Sequence, residues 1–285
     1  MEIYLYIQGP SGIIKNMGIC ETLKKQQRSQ DLSRSAHVEH LEEFELVSGG
    51  VQMRKAIKGV NPEWVTLEAE PEPLEIDLRR TAIIIVDMTN AFVRKGGFFD
   101  QFIVDISRCE KTIEPAERVI DVARTRGCKI IYIVHRYSLN LDNAGGPNSL
   151  NWRKDGTLRI WREHPELTDK LYFRDTWGTE IVGELKPQEG DIVIEKPRYS
   201  SFAGTNLDMT LRSYDTKYAV FVGIATNGCV EASIRDAYNL EYWPILVSDA
   251  CANTGPEFTQ ETTIWNVKSC LGWVTTSEKF VKALQ

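Results

Sequence analysis

From residue 81 to the C-terminus, short apolar runs alternate with longer amphipathic stretches. The run 81–86 (Thr-Ala-Ile-Ile-Ile-Val) is apolar without interruption, the pattern of a strand covered on both faces. Similar runs at 129–134, 191–195, 218–222, 243–247 and 273–275 predict five more strands. Between them, stretches at 113–126, 176–185, 205–213, 231–240 and 258–269 read as helices, the first stopped by Gly127. Strands that alternate with helices predict a three-layer α/β/α fold: a Rossmann-like, mostly parallel sheet of five or six strands with helices on both faces. In such sheets the site lies beyond the carboxyl ends of the strands. The polar stretch 140–155, with Gly145-Gly146-Pro147, reads as a long loop.

The first 67 residues lack this rhythm and are expected to be an arm or appendage to a domain over 68–285. Within them 3–7 reads as a short strand, 18–30 as a polar helix, and Gly49-Gly50 as a break. His37 and His40 have the spacing of a metal pair but no third ligand nearby, so they read as a solvated helix face. The acidic stretch 68–75, with Pro71 and Pro73, reads as a linker.

A net charge of −6 argues against nucleic acid or an anionic membrane as the main partner. The six cysteines, at 20, 109, 128, 229, 251 and 270, are scattered without a CxxC pair, which points to reduced thiols in a cytoplasmic protein rather than a disulfide framework or zinc site. No apolar stretch approaches the ~20 residues of a membrane span, and residues 1–7 do not have the form of a signal peptide.

Three reactive side chains stand at or just past predicted strand ends: Asp87, Lys196 and Cys229. Cys229 lies where the run 218–222 turns into the helix at 231. N–H groups at a helix start favour an anion, so they lower the cost of a thiolate and can hold an oxyanion. Asp87 would take the thiol proton as general base, and Lys196 would stabilise the thiolate and keep Asp87 ionised. Taken singly, each residue has a plainer reading as a turn residue, a loop lysine or a buried small hydrophobe.

The segments Ile-Val-Asp87-Met-Thr-Asn-Ala-Phe, Glu-Lys196-Pro-Arg-Tyr-Ser-Ser-Phe and Gly-Ile-Ala-Thr-Asn-Gly-Cys229-Val-Glu together resemble the three motifs of the isochorismatase-like cysteine hydrolases. The resemblance covers about residues 68–285. It implies an Asp-Lys-Cys triad, a Rossmann-like sheet, amide hydrolysis through an acyl-enzyme without any cofactor, and a non-proline cis peptide at Ile224–Ala225 in a turn that also holds Gly228. Within the family the chain is most similar to the ureidoacrylate amidohydrolases and related ureide hydrolases, through Ala144-Gly-Gly-Pro-Asn-Ser, Lys196-Pro-Arg-Tyr-Ser and Gly272-Trp-Val. It departs from them at Thr89, Phe92, His135, Tyr137, Asn143 and Gly228, where that subgroup commonly has Gln, Tyr, Asn, Trp, an acidic residue and Val.

The resemblance therefore implies a small ureide or amide as substrate and a homo-oligomer, dimer or tetramer. Ureidoacrylate-like compounds lead, followed by biuret, triuret or N-carbamoyl amino acids. A non-catalytic binding protein on the same fold is the rival from another class. Expected substrate-binding residues are Asn90, Phe92, His135, Tyr137, Tyr199 and Asn227, with Arg136 or Arg198 as partner for a substrate carboxylate. Nicotinamidases, the metal-bearing branch, use an Asp and two His near the second strand; here His135 stands alone, so no metal is expected. True isochorismatases lack the cysteine.

Overall fold

The computed structural model describes residues 61–103 and 105–285 in full and, before them, the backbone of four short strands. The chain forms two units, residues 1–56 and 57–285. In the first, β1 (Leu5–Gln8) pairs antiparallel with β2 (Ile14–Met17), and β3 (Glu43–Val47) with β4 (Gly50–Arg54). The expected helix at 18–30 and the His37/His40 pair lie outside the described residues.

The second unit starts before residue 68. β5 (Trp64–Leu67) and β6 (Leu74–Asp77) form an antiparallel hairpin across the stretch expected to be a linker. Its connection carries a cis Glu70–Pro71 bond, and Glu70 exchanges backbone hydrogen bonds with Val274.

The sheet has six parallel strands in the order β12-β11-β10-β7-β8-β9. They are β7 (Thr81–Val86), β8 (Lys129–His135), β9 (Ile192–Lys196), β10 (Tyr218–Ile224), β11 (Trp243–Ala252) and β12 (Trp273–Thr275). On β7, Ile83 and Ile85 enter one core while Ala82, Ile84 and Val86 enter the other. Period-2 alternation into two buried faces is why the run after Thr81 carries no polar residue. Ile113–Thr125 and Ser277–Leu284 cover the first face; Leu207–Ser213 and Glu231–Asn239 cover the second.

Two expected elements differ. The loop 140–155 contains a helix at Leu150–Lys154, followed directly by another at Gly156–Glu163. The stretch 176–185 is not one helix but two 3₁₀ turns, Trp177–Thr179 and Gly183–Leu185. Between them the chain runs extended against the residues that follow β7: the Asn90 N–H donates to the Glu180 carbonyl and the Val182 N–H to the Met88 carbonyl. That pairing, with a sequence-distant segment, outcompetes the local helical pattern.

β7, β8 and β9 run to one side of the sheet, and β10 begins on the other side of β7. The switch in direction between β7 and β10 opens the crevice where α/β sheets place their sites. Gly223 permits the close approach there. Its φ of +120° suits glycine alone, and a Cβ would come within 2.0 Å of the Val86 carbonyl oxygen.

Candidate active site

Asp87 follows β7 in a left-handed conformation, φ +53°. Its Oδ1 accepts the His135 backbone N–H at 2.8 Å. Its Oδ2 lies 2.8 Å from Lys196 Nζ, with both side chains wholly buried. Lys196, the last residue of β9, donates from the same Nζ to Cys229 Sγ at 3.2 Å and to the Arg198 carbonyl at 3.1 Å. An ammonium has three N–H donors, and here three acceptors surround it. The three motif residues, far apart in sequence, thus converge on one nitrogen.

Cys229 lies in the turn Thr226–Val230, one step before the helix Glu231–Asn239, rather than in that helix's first turn. The Ile224–Ala225 peptide before it is cis. The N–H groups of Gly228 and Val230 both donate to the Ala225 carbonyl and so close the turn. Burial pushes the Cys229 thiol up to about 12; Lys196 opposes this and Asp87 adds to it. Burial thus works against the ready ionisation expected from the helix start.

The expected pocket residues fall into two groups. His135 and Tyr199 border the triad, and Phe92 joins them through Tyr172. Phe92 stacks on Tyr172 at 5.2 Å between ring centroids, and His135 packs on Tyr172 at 4.5 Å and on Tyr199 at 6.3 Å. Tyr199 is half exposed. The others serve the frame. Tyr137 is fully buried behind His135, and its hydroxyl accepts from Asn151 at 3.0 Å. Asn90 donates its amide to the Trp177 carbonyl. Asn227 donates to the Thr254 carbonyl at 2.8 Å and accepts the Thr254 N–H at 3.0 Å, which ties the nucleophile turn to the loop after β11. An amide satisfied at both ends by the fold suits a brace better than a substrate contact.

Sequence reasoning missed Asp155 and Tyr172. The buried Asp155 carboxylate caps the helix Gly156–Glu163 through the Leu158 N–H at 3.0 Å and accepts the Tyr172 hydroxyl at 2.7 Å. Asp155-Gly156 ahead of an amphipathic run was a readable cap signal; nothing local marked Tyr172.

The arginines separate. Arg136 pairs with Glu195 at 3.1 Å. Arg198 donates to the carbonyls of Asn143 and Pro197 and has no carboxylate partner among the described residues.

One oxygen of Asp87, a ring nitrogen of His135 and Cys229 Sγ lie within 4.8 Å of one another, a donor set that a metal ion accepts. The Lys196 ammonium already contacts two of the three, and like charge opposes a second cation there.

A buried carboxylate, ammonium and thiol at the switch point of a parallel α/β sheet define a cysteine hydrolase of the isochorismatase type. The isochorismatase domain matches residues 81–279, and the chain belongs to this family. A ureidoacrylate amidohydrolase RutB of Agrobacterium fabrum is 44% identical over 216 residues, 76% of this chain and 95% of that protein. A cysteine hydrolase from Pseudomonas syringae has a similar structure, with TM-score 0.62 and 25% identity over 73% of this chain and 94% of that one. N-carbamoylsarcosine amidase from Thermoplasma acidophilum is similar at TM-score 0.53 and 27% identity, over 70% and 97%. The protein is a hydrolase acting on carbon–nitrogen bonds other than peptide bonds. No helix among the described residues is long and apolar enough to cross a membrane.

Proposed function

We propose that the protein hydrolyses the terminal carbon–nitrogen bond of a small ureide, R–NH–CO–NH2, through a covalent intermediate on Cys229. The observation that carries this reading is the Lys196 ammonium held between Asp87 and Cys229. Asp87 removes the thiol proton as sulfur attacks the carbonyl carbon, and Lys196 stabilises the charge that develops on sulfur. The carbonyl oxygen becomes an oxyanion held by N–H groups of the 225–229 turn other than that of Gly228, which already has a partner. The carbon–nitrogen bond breaks as Asp87 returns the proton to the leaving nitrogen, and ammonia departs. Water then gives a proton to Asp87 and attacks the thiocarbamate carbonyl. The carbon–sulfur bond breaks, the sulfur regains its proton from Asp87, and a carbamate leaves.

The relatives named for ureidoacrylate support an anionic ureide as substrate. Arg198, with no carboxylate partner among the described residues and close enough to act on the electrostatics of His135 and Tyr137, suits the substrate's carboxylate. The likeness to an N-carbamoylsarcosine amidase favours N-carbamoyl amino acids as the second reading. The triad residues need no bound cofactor for these steps. A homo-oligomer fits the exposed Tyr238, Phe258 and Trp265 on the helices Glu231–Asn239 and Phe258–Asn266.

The experiment is ammonia release across ureidoacrylate, N-carbamoyl amino acids, biuret, triuret and simple amides. Turnover of the carboxylated ureides above the rest is the expected result; turnover confined to simple amides overturns the reading.

A further inference from the structure

His135 ends β8 beside Asp87, with its ring 1% exposed. Its Nε2 has no hydrogen-bond partner among the described residues. The Pro197 carbonyl acts on the ring as a hydrogen-bond acceptor, and with Nε2 unpartnered the proton is assigned to Nδ1, which leaves Nε2 an acceptor. Burial, with Lys196 and Arg198 nearby, keeps the ring neutral by holding its pKa well below the ordinary range. The ring is clamped by Tyr172 at 4.5 Å and Tyr137 at 5.1 Å, so it cannot readily turn away. A buried acceptor left unpaired is costly and calls for an explanation.

The strand order supplies one. Across the strand ends lie the 225–229 turn after β10, then Asp87 after β7, then His135 on β8. A urea group seated on Cys229 with its oxygen toward the turn directs its two nitrogens away from it, toward the side where Asp87 and His135 stand. The site offers two acceptors there for two N–H-bearing nitrogens. Asp87 serves the nitrogen that leaves, which needs its proton.

Resting on the ureide reading, we infer that His135 Nε2 accepts the N–H of the nitrogen the product retains. The enzyme is thereby specific for ureides with a single substituent on that nitrogen, and it discriminates against N-alkylated ones. His135 is a specificity-determining residue and takes no proton in the reaction.

The test compares the best ureide from the ammonia-release panel with the same compound methylated on the retained nitrogen. N-carbamoylglycine and N-carbamoylsarcosine are such a pair. The wild type is expected to favour the N–H form by at least about tenfold in kcat/KM. His135→Phe should lower the rate on the N–H form more than on the methylated form, so that the ratio moves toward one. His135→Asn, which restores an acceptor, should recover part of the preference and decides the matter if His135→Phe does not fold. Equal wild-type rates on the two compounds overturn this inference while the ureide reading stands. So does a preference that persists in His135→Phe, which would make it steric. Failure to release ammonia from any ureide overturns the ureide reading itself.

Discussion

Lys196 Nζ stands 2.8 Å from Asp87 Oδ2 with neither side chain reached by solvent. Charges so placed hold only as a pair, because removing one strands the other in a poorly solvating interior. Lys196→Met is therefore expected to abolish turnover and to cost about 3–5 kcal/mol of stability. Adding Asp87→Asn should restore part of the stability and none of the activity. Denaturant unfolding of the single and double variants checks this; additive losses would mean that the pair is not coupled.

The thiol responds in opposite senses to its two neighbours. Asp87 raises it and Lys196 lowers it. Asp87→Asn is expected to lower the pKa of Cys229 and speed its alkylation at neutral pH, yet abolish turnover, because the group that carries protons is gone. The rate of iodoacetamide labelling of Cys229 against pH reads this. Slower labelling in Asp87→Asn would contradict the arrangement.

Alkaline pH should weaken the fold. Burial pushes the thiols of Cys109, Cys128 and Cys229 up to about 12 from an ordinary 9. Between those values the unfolded chain releases protons that the folded one keeps. The stability from keeping these thiols neutral is therefore fully present below about pH 9 and lost as pH rises through about 12. Urea midpoints should fall steadily over that window; a flat profile would count against buried, protonated thiols.

Arg136 and Arg198 should behave differently. Replacing Arg198 with Gln is expected to raise KM about tenfold or more for carboxylated ureides and to leave biuret unaffected, since only a carboxylate uses the bidentate contact. Arg136→Gln breaks a partly exposed pair with Glu195, worth about 1 kcal/mol or less, and should change both substrates little. Equal KM effects of Arg198→Gln on both substrates would remove its assignment.

The sheet was legible in the sequence because its central strands are covered on both faces: 81–86 needs no partner information to be read as β7. The convergence of Asp87, Lys196 and Cys229 was legible for a related reason, since strand carboxyl ends are where such folds place their sites. The hairpin of β5 and β6 was not, because Pro71 and Pro73 read as extended chain and the pairing of Glu70 with Val274 spans most of the domain. Asn227 could not be told from a substrate contact, because its partner Thr254 belongs to a distant loop. Tyr172 and Asp155 meet only after the segment between them folds back, and no local pattern records that.

Metal removal is expected to leave turnover unchanged, because the Lys196 ammonium sits where a cation would contact Asp87 and Cys229. Activity lost on dialysis against a chelator and restored by zinc would show that the Asp87, His135 and Cys229 donors hold an ion after all.

The central claim is that Cys229 forms the covalent intermediate, and kcat/KM of Cys229→Ala on the best ureide of the panel tests it most directly. The substitution removes one small group from a buried site, so the protein should melt close to the wild-type temperature while kcat/KM falls by at least about 10³-fold. A folded Cys229→Ala variant that retains turnover within about tenfold of the wild type would contradict the account.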